Sequence, residues 1–451
     1  MVTPIQTKQP ARMAGFPVVG NLPQFARNPI GFLTRLQSEL GDVAAFSLLG
    51  SRSVLLSHPE DVDRVLVETG KRYNNGKTGN MHALNAILGN GLVASEGDFW
   101  RKQRKLMAPS FHHQSIKKYA DLIVSATQDL ASTWQDGAER DIHEDMMELT
   151  QRIIMKALFD VDVQDNAHKA SQAFDAMMHA LGAEMRGIEA VLPSSIPTPS
   201  RTKLKEGIEY INTMLVNIIE ERMTSTEEKH DLLTMLMDAR DDEDQPMSIQ
   251  QLLDEIRTLY LAGHETTATT LSWAWLLLSQ NPEQYATLQK EVADILQGRT
   301  PTADDAQLLP YCNAVIKEAL RMYPVAWVTR RMALEDVEIR GFHIEKGTFV
   351  FLSPWILHHD PRWFEQPEQF VPERWLKDKA ELPAREAYIP FGGGPRICIG
   401  NGLAMMESVL VLATLLQRFS VHVLPEQPVE MELAGTMRPK HGLRARLAKA
   451  N

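Results

Sequence analysis

The chain has 451 residues, of which 44% are apolar and 23% are charged, so it can bury a large core and is not a disordered segment. Its formal net charge of -11 argues against a general nucleic-acid-binding surface. Its two cysteines, Cys312 and Cys398, cannot form a disulfide framework, and we therefore expect a protein of the reducing cytoplasm.

The first predicted element, residues 1–30, is a proline-rich lead-in, which favours extended chain over helix. This segment lacks the apolar run of a signal peptide or a membrane anchor, and we expect no anchor. Two β-rich runs within residues 43–57 predict a hairpin, and residues 59–69 predict a short helix.

Helical periodicity dominates residues 98–240, with a proline- and serine-rich loop at 191–203. An unusually long helix is predicted after Pro246, capped by Ser248 and ending near Ser279. Short strands are predicted at 337–354, a proline-rich loop at 360–375, and a last helix from about Cys398 to Phe419. We find no repeat and no linker, and expect residues 1–451 to form one mainly α domain with small β-sheets (α+β).

The segment FGGGPRICIG, residues 391–400, places Cys398 behind three glycines. A lone cysteine is most often a small buried apolar residue. Here the glycines allow the backbone to approach a large flat ligand, and a helix that opens at Cys398 directs N–H groups toward the sulfur. Those groups and the helix dipole favour the thiolate.

Other chemistries fit this sequence less well. The glycines match neither the GxxxxGK[ST] nor the GxGxxG phosphate-binding pattern, and no familiar signature pairs Cys398 with a catalytic histidine. His264 and Glu265 begin a possible HExxH zinc motif, but Ala268 stands where its second histidine is needed.

The glycine loop resembles the haem-ligand loop of the cytochrome P-450 monooxygenases at Phe391, Gly392, Gly394, Arg396, Cys398 and Gly400. Three further motifs agree in order and spacing: EALR with Glu318 and Arg321, FVPERW with Arg374, and AGHETT from Ala262 to Thr267. The resemblance runs from about residue 15 to the end. It implies a single haem domain, with the long helix over the haem, the cysteine loop beneath it and no fused reductase domain.

By this resemblance Cys398 is the thiolate ligand of haem iron, which favours cleavage of the dioxygen bond. Phe391 belongs to the same haem-binding loop. The family pattern assigns the haem propionates to Trp100, Arg104, Arg331 and Arg396, because guanidinium groups match carboxylates. Arg330 competes with Arg331 for that role.

Two more groups gain roles from the family pattern. Glu318 and Arg321 alone would be an ordinary helical ion pair, but with Arg374 they form a buried network that fixes the cysteine loop. Glu265 and Thr266 become an acid–alcohol pair that delivers protons from a locally widened helix. The alternative for Thr266 is a hydrogen bond to the carbonyl four residues earlier.

The resemblance implies a haem b monooxygenase that uses dioxygen and electrons from NAD(P)H through a separate ferredoxin or flavodoxin with its reductase. We expect a monomer of the soluble bacterial type, with no nucleic-acid partner. Arg101, Lys102 and Lys105 form a candidate docking patch for an acidic carrier.

The expected substrate is an apolar small molecule, and the motif style of the fatty-acid-hydroxylating and eukaryote-like branches favours a fatty acid or similar alkyl chain. Terpenoid or steroid hydroxylation stays open, as do a peroxygenase and a haem sensor. The candidate pocket residues, which can equally be core packing, are Met81, Leu84, Leu88, Ala262, Val325, Ala326 and Val328.

Overall fold

The structure is a computed structural model, and it describes residues 8–450 apart from 77–81, 161–166, 187–188, 190–191, 194, 228, 230 and 377–384. Helices make up most of the described chain. Their bounds are α1 Leu22–Arg27, α2 Pro29–Leu40, α3 Pro59–Val67, α4 His82–Leu88, α5 Gly97–Met107, α6 His113–Lys117, α7 Ala120–Thr133, α8 Ile142–Phe159, α9 Ala167–Arg186, α10 Pro199–Thr224, α11 Leu232–Asp238, α12 Ile249–Gln280, α13 Pro282–Leu296, α14 Asp305–Leu308, α15 Pro310–Met322, α16 Pro354–His358 and α17 Asn401–Leu416.

The strands are short and form small sheets at the edge of the helical body. Their bounds are β1 Ala11–Arg12, β2 Val43–Leu48, β3 Ser51–Leu56, β4 Tyr73–Asn74, β5 Glu139–Asp141, β6 Thr329–Ala333, β7 Val337–Ile339, β8 Phe342–Ile344, β9 Phe349–Leu352, β10 Phe419–Val423, β11 Met431–Leu433, β12 Met437–Pro439 and β13 Arg444–Lys449. One sheet has the order β1-β2-β3-β9-β6-β4 and another β10-β13-β5, while β7-β8 and β11-β12 are hairpins. The predicted class, mainly α with small β-sheets, is confirmed.

Helix α12 forms the centre of the molecule. Its 32 residues begin after Ser248, whose hydroxyl accepts a hydrogen bond from the Gln251 amide at 3.2 Å, as the sequence predicts for an N-cap. It packs against α8, α15 and α17, and Trp273 and Trp275 are fully buried. A helix that is apolar on nearly every face has to be enclosed by others, which explains why α12 runs through the core.

The hairpin expected within residues 43–57 is present as β2 and β3, paired from Val43 opposite Leu56 to Leu48 opposite Ser51. Its two-residue turn is Leu49–Gly50, and both residues have positive φ. The strands predicted at 337–354 are β7, β8 and β9, with turns at Gly341 and Gly347.

Two predicted boundaries are wrong. Residues 22–27 and 29–40 are helical where an extended lead-in was expected, because Pro23 and Pro29 occupy first-turn positions that need no backbone N–H. The last helix begins at Asn401 and not at Cys398, so the cysteine belongs to the loop before it. No helix among the described residues is long and apolar enough to cross a membrane.

Candidate active site

A cavity of about 950 Å³ lies between α12 and the cysteine loop. Ala262, Gly263 and Thr266 line it from α12, and residues 396–400 line it from the opposite side. Further parts of its wall come from α4, α5, α8, α9, α17, β6, β9 and the hairpin β11–β12. The structure therefore brings together the long helix and the cysteine loop, as the sequence predicts.

The cysteine loop is a tight turn held by its own backbone. The Cys398 amide donates a hydrogen bond to the Phe391 carbonyl at 3.0 Å. Gly394 has a φ of 61°, and a Cβ there would lie 2.2 Å from the Leu66 carbonyl oxygen, so only glycine fits against α3. This close contact sets the loop on α3 and turns Cys398 toward the cavity.

The Gly400 amide lowers the pKa of Cys398, in the direction expected of backbone N–H groups, but it does not outweigh burial. Burial raises the pKa of Cys398, and the Gly400 amide and the Arg104 charge only partly oppose it. Protein lies close around the thiol, but Cys398 remains exposed on the side that faces the cavity. A thiolate here therefore needs a further positive charge, and a coordinated metal ion deprotonates a thiol outright.

Arginines give the cavity an excess of positive charge. Arg104, Arg330, Arg331 and Arg396 all line it, together with Trp100 and Phe391. Within the described chain, Arg104 and Arg331 make no ion pair with a carboxylate. Burial, followed by the nearby Arg396 charge, lowers the pKa of Arg331 to about 10.

Arg396 and Arg331 are held in place by their neighbours. The Arg396 guanidinium lies 4.0 Å from the centre of the Trp100 ring and donates to Glu96 Oε2 at 3.0 Å. Arg331 donates to the Thr69 hydroxyl at 3.1 Å, whereas Arg330 stacks on the Phe349 ring at 4.7 Å. A flat ligand that carries two carboxylates fits this arrangement, because it supplies the counter-charge that Arg104 and Arg331 do not find among the described residues.

Glu318 on α15 is the centre of a buried ion-pair network. Its side chain is 0% exposed and accepts both an Nε and an Nη2 hydrogen bond from Arg321 at 2.9 Å. Arg374 Nε donates at 3.0 Å and Trp375 Nε1 at 2.9 Å. The Val371 amide adds a fifth donor at 3.1 Å. The predicted three-residue network is present, and Trp375 is a member that sequence reasoning missed.

The network continues toward the cysteine loop through His358. Arg321 Nη1 donates to the His358 carbonyl at 2.9 Å, and His358 Nε2 accepts from the Ile389 amide at 3.0 Å. Burial lowers the pKa of His358, which keeps the ring neutral and able to accept. Ile389 lies two residues before Phe391, so the ion-pair network fixes the start of the loop.

The predicted acid–alcohol pair is on α12, but its two side chains do not meet. The Thr266 hydroxyl donates to the Ala262 carbonyl at 2.7 Å, which is the alternative considered for it, and α12 continues through this position as one helix. Glu265 points away from the cavity and accepts from the Thr436 hydroxyl at 2.7 Å, with Arg438 Nη1 at 3.9 Å. Burial raises the pKa of Glu265 to about 6, and Thr436 and Arg438 oppose that shift.

Thr436 and Arg438 are functional candidates that sequence reasoning missed. They lie in the hairpin β11–β12, and Thr436 is 171 positions from Glu265 in the chain. No local pattern marks them, since their only distinction is the contact that the fold creates.

Six of the seven predicted pocket residues line the cavity: Leu84, Leu88, Ala262, Val325, Ala326 and Val328. The seventh, Met81, lies outside the described residues. Two carboxylates that were not predicted also line it. Glu184 of α9 accepts the His82 and Ala83 amides at 2.8 and 2.7 Å, and Glu407 lies on α17.

The predicted basic docking patch is neutralised by its own chain. Lys102 pairs with Asp241, and Lys105 Nζ lies 2.6 Å from Asp242 Oδ1. Arg101 pairs with Asp98 on the same helix. The fold places the acidic segment with Asp241 and Asp242 against α5. The patch is therefore no longer a free cationic surface.

Comparison with known proteins identifies close relatives. The Cytochrome P450 family model matches residues 10–445. Cyclooctatin synthase of Streptomyces melanosporofaciens is 36% identical over 420 residues, covering 91% of this chain and 89% of that one. Cyclooctat-9-en-7-ol 5-monooxygenase of the same organism is 33% identical, covering 91% and 88%. Pentalenene oxygenase of Streptomyces avermitilis is 31% identical, covering 96% and 95%.

Replacing Glu318 by glutamine is expected to destabilise the protein by about 3–5 kcal/mol, because Arg321 and Arg374 then lack a counter-charge. Chemical denaturation measures the change. The control Asp294→Asn breaks an exposed pair with Lys290 and is expected to cost less than about 1 kcal/mol. Equal losses in the two variants contradict a structural role for the Glu318 network.

The buried carboxyl group of Glu407 is expected to make the stability of the protein depend on pH. Its Oε1 atom has no partner within the described residues, and burial raises its pKa from 4.5 to about 8. The folded protein therefore keeps a proton that the unfolded chain releases, so stability falls as the pH rises from 4.5 to 8.

Removing this carboxylate is expected to remove that pH dependence. Glu407→Gln should match the wild type near pH 4.5 and exceed it near pH 8 by on the order of 4 kcal/mol. Urea unfolding at both pH values measures the difference. The exposed Glu283→Gln serves as control, and parallel pH profiles of wild type and Glu407→Gln contradict the assignment.

Proposed function

The chain belongs to the cytochrome P450 family, and from this premise we propose that it hydroxylates a neutral terpenoid with haem b bound between α12 and Cys398. The protein is an oxidoreductase of the monooxygenase class that uses haem iron, dioxygen and electrons from a reductant. The observation that carries the proposal is the cavity itself, with a cysteine on one side, α12 on the other and cationic side chains beside it.

The residues of the cavity fit a haem group. Cys398 is the proposed iron ligand, and Arg104, Arg331 and Arg396 are the proposed partners of the propionates, with Trp100 and Phe391 against the ring system. Arg330 is occupied by its contact with Phe349, which favours Arg331. When bound, thiolate-ligated haem activates dioxygen. The overall reaction converts a C–H bond, dioxygen, two electrons and two protons into an alcohol and water.

The protein's own contribution is to orient the substrate, exclude water and hold protons. Leu84, Leu88 and Val328 supply apolar surface for the substrate opposite the cysteine. A hydrogen bond to the Ala262 carbonyl holds the Thr266 hydroxyl at the cavity wall, and the hydroxyl oxygen can still accept hydrogen bonds. We propose Glu265 as the buried acid of proton delivery, since its raised pKa of about 6 lets it gain and lose a proton near neutral pH.

The charged side chains that line the cavity favour a neutral substrate over a fatty acid. Among the described residues no lysine or histidine lines the cavity. Of its four arginines, Arg104, Arg331 and Arg396 are the proposed propionate partners, and Arg330 stacks on the Phe349 ring. Glu184 places a carboxylate at the α4 end, which repels a substrate carboxylate. Cyclooctat-9-en-7-ol 5-monooxygenase and pentalenene oxygenase are named for an alcohol and an alkene, both neutral, and this likeness supports a neutral terpenoid as the substrate here. The fatty-acid interpretation is the alternative that the substrate test decides.

Electron supply follows from the family assignment as a further part of the proposal. We propose that NAD(P)H reduces a separate ferredoxin or flavodoxin through its reductase, and that residues 1–451 act as one haem domain. The pairing of Lys102 and Lys105 with acidic residues makes the docking role of α5 weaker than the sequence predicts. The monomeric state and the cytoplasmic location stay predictions from the sequence.

The ligand assignment predicts the absorption spectrum of the reduced protein under carbon monoxide. The wild type should show the red-shifted band of thiolate-ligated haem, and Cys398→Ser should lose it. Cys312→Ser is the matched control, because that cysteine is fully buried on α15 and its thiol donates to the Val409 carbonyl. A protein without haem, or a band that persists in Cys398→Ser, contradicts the assignment.

The proposed substrate class predicts the relative affinities of three kinds of compound. A polycyclic terpene hydrocarbon should bind at least about 10-fold more tightly than dodecanoate, because the buried carboxylate of the acid finds no free cation. The methyl ester of dodecanoic acid should bind more tightly than the acid itself. The shift from low to high spin, titrated at neutral pH, measures each dissociation constant. Tighter binding of the free acid favours the fatty-acid alternative.

A further inference from the structure

The hairpin β11–β12 brings a hydroxyl to the buried carboxylate of α12. Thr436 lines the cavity, and its Oγ1 donates to Glu265 Oε1 at 2.7 Å. The hairpin is fixed at this position, because the Met437 amide donates to the Val325 carbonyl at 2.9 Å and Trp273 Nε1 donates to the Met437 carbonyl at 3.0 Å. The contact between Thr436 and Glu265 is therefore part of the core packing.

Glu265 reaches the cavity through this hydroxyl and not through its neighbour on α12. Glu265 is absent from the cavity wall, and its side chain is 4% exposed. The single hydrogen of the Thr266 hydroxyl is committed to the Ala262 carbonyl. In the part of the chain that the structure describes, Thr436 is the hydrogen-bond partner of Glu265 that also lines the cavity.

We propose that Thr436 is the positioning alcohol through which Glu265 delivers protons to the cavity. The inference rests on the proposed monooxygenase function and deepens its proton-delivery step. It replaces the pair of adjacent residues that the sequence predicts by a pair joined through the tertiary structure.

The proton transfer balances over the two groups. With Glu265 ionised, the Thr436 hydrogen points to Oε1, as the structure shows. When Glu265 is protonated, its hydrogen is donated to Thr436 Oγ1, and the Thr436 hydrogen turns to an acceptor in the cavity. Thr436 passes its own proton to that acceptor and receives the proton of Glu265, so the hydroxyl is restored and the carboxylate is left ionised.

Charged groups behind Glu265 connect it to solvent. From the hairpin, Arg438 Nη1 lies 3.9 Å from Glu265 Oε1, and Arg438 Nε lies 2.9 Å from Glu432. From α9, the exposed Asp175 lies 3.4 Å from Arg438 Nη1. From α8, His143 is buried near Arg438, whose charge helps to lower its pKa to about 4. Arg438 stays protonated, so it orients Glu265 and the outer carboxylates, and the proton that restores Glu265 comes from solvent on the side of the exposed Asp175.

The test compares Thr436→Val with Thr436→Ser in the haem-loaded full chain, after the carbon monoxide spectrum has shown that both retain thiolate-ligated haem. Turnover uses NADPH, a plant-type ferredoxin with its reductase, and whichever compound of the spin-state panel gives the largest shift. Thr436→Val should lower product formed per NADPH oxidised at least about 10-fold, with the lost electrons recovered as hydrogen peroxide. Thr436→Ser should restore it.

An infrared titration of the Glu265 carboxyl band supplies a readout that does not depend on turnover. Thr436→Val should shift this band and raise its apparent pKa, because the Thr436 hydrogen bond stabilises the ionised form. Glu265→Gln identifies the band by its disappearance. A band that Thr436→Val leaves unchanged overturns the proposal.

Two comparisons separate a relay from a general loss of structure. Thr414→Val removes another buried hydroxyl, whose hydrogen bond to Leu410 stays within α17, and it should leave coupling unchanged. The double variant of Glu265→Gln and Thr436→Val should be no worse than Glu265→Gln alone, because both act on one path. Independent losses overturn the proposal, as does full coupling in Thr436→Val. Absence of the thiolate spectrum in the wild type instead overturns the proposed function.

Discussion

The carboxylate of Glu318 is the constraint on which the cysteine loop depends. A buried ion is tolerated only when its partners satisfy it, and here five N–H donors surround one side chain. Three of those donors come from the proline-rich segment, which has little regular backbone pairing of its own. The network therefore gives that segment one position against α15. His358, which the network holds, accepts a hydrogen bond from the Ile389 amide, and this contact fixes the start of the loop that presents Cys398.

Two groups at the cavity, Cys398 and Arg331, are harder to charge in the protein alone than in water. Burial opposes the thiolate of Cys398 and the charge of Arg331. A metal centre that carries two carboxylates reverses both effects, since it stabilises the thiolate and neutralises the guanidinium groups. Binding of such a ligand to the folded state alone would add to stability by mass action. Cofactor binding and folding are therefore expected to be strongly linked in this protein.

Helix α12 lines the cavity with one side and contacts the hairpin β11–β12 with another. One side supplies small residues to the cavity, Ala262 and Gly263, while Glu265 turns toward the carboxy-terminal hairpin. The acid is thereby shielded from the substrate pocket but held against Thr436. The same hairpin bonds to Val325, which lines the cavity. The hairpin therefore contacts both a residue of the substrate pocket, Val325, and the buried acid, Glu265.

The sequence by itself determined the class of fold, the long capped helix, the cysteine loop and the residue types around the cavity, because these depend on local periodicity, turn residues and short motifs. It misplaced the start of the last helix and the first helices, where proline is compatible with either structure. Only the tertiary structure decided which side chains meet across the chain. Trp375 on Glu318, Thr436 on Glu265 and Asp241 on Lys102 are such contacts, joined over long sequence distances by packing. Packing also set the protonation preference of Cys398, since desolvation depends on what encloses a group and not on its neighbours in sequence.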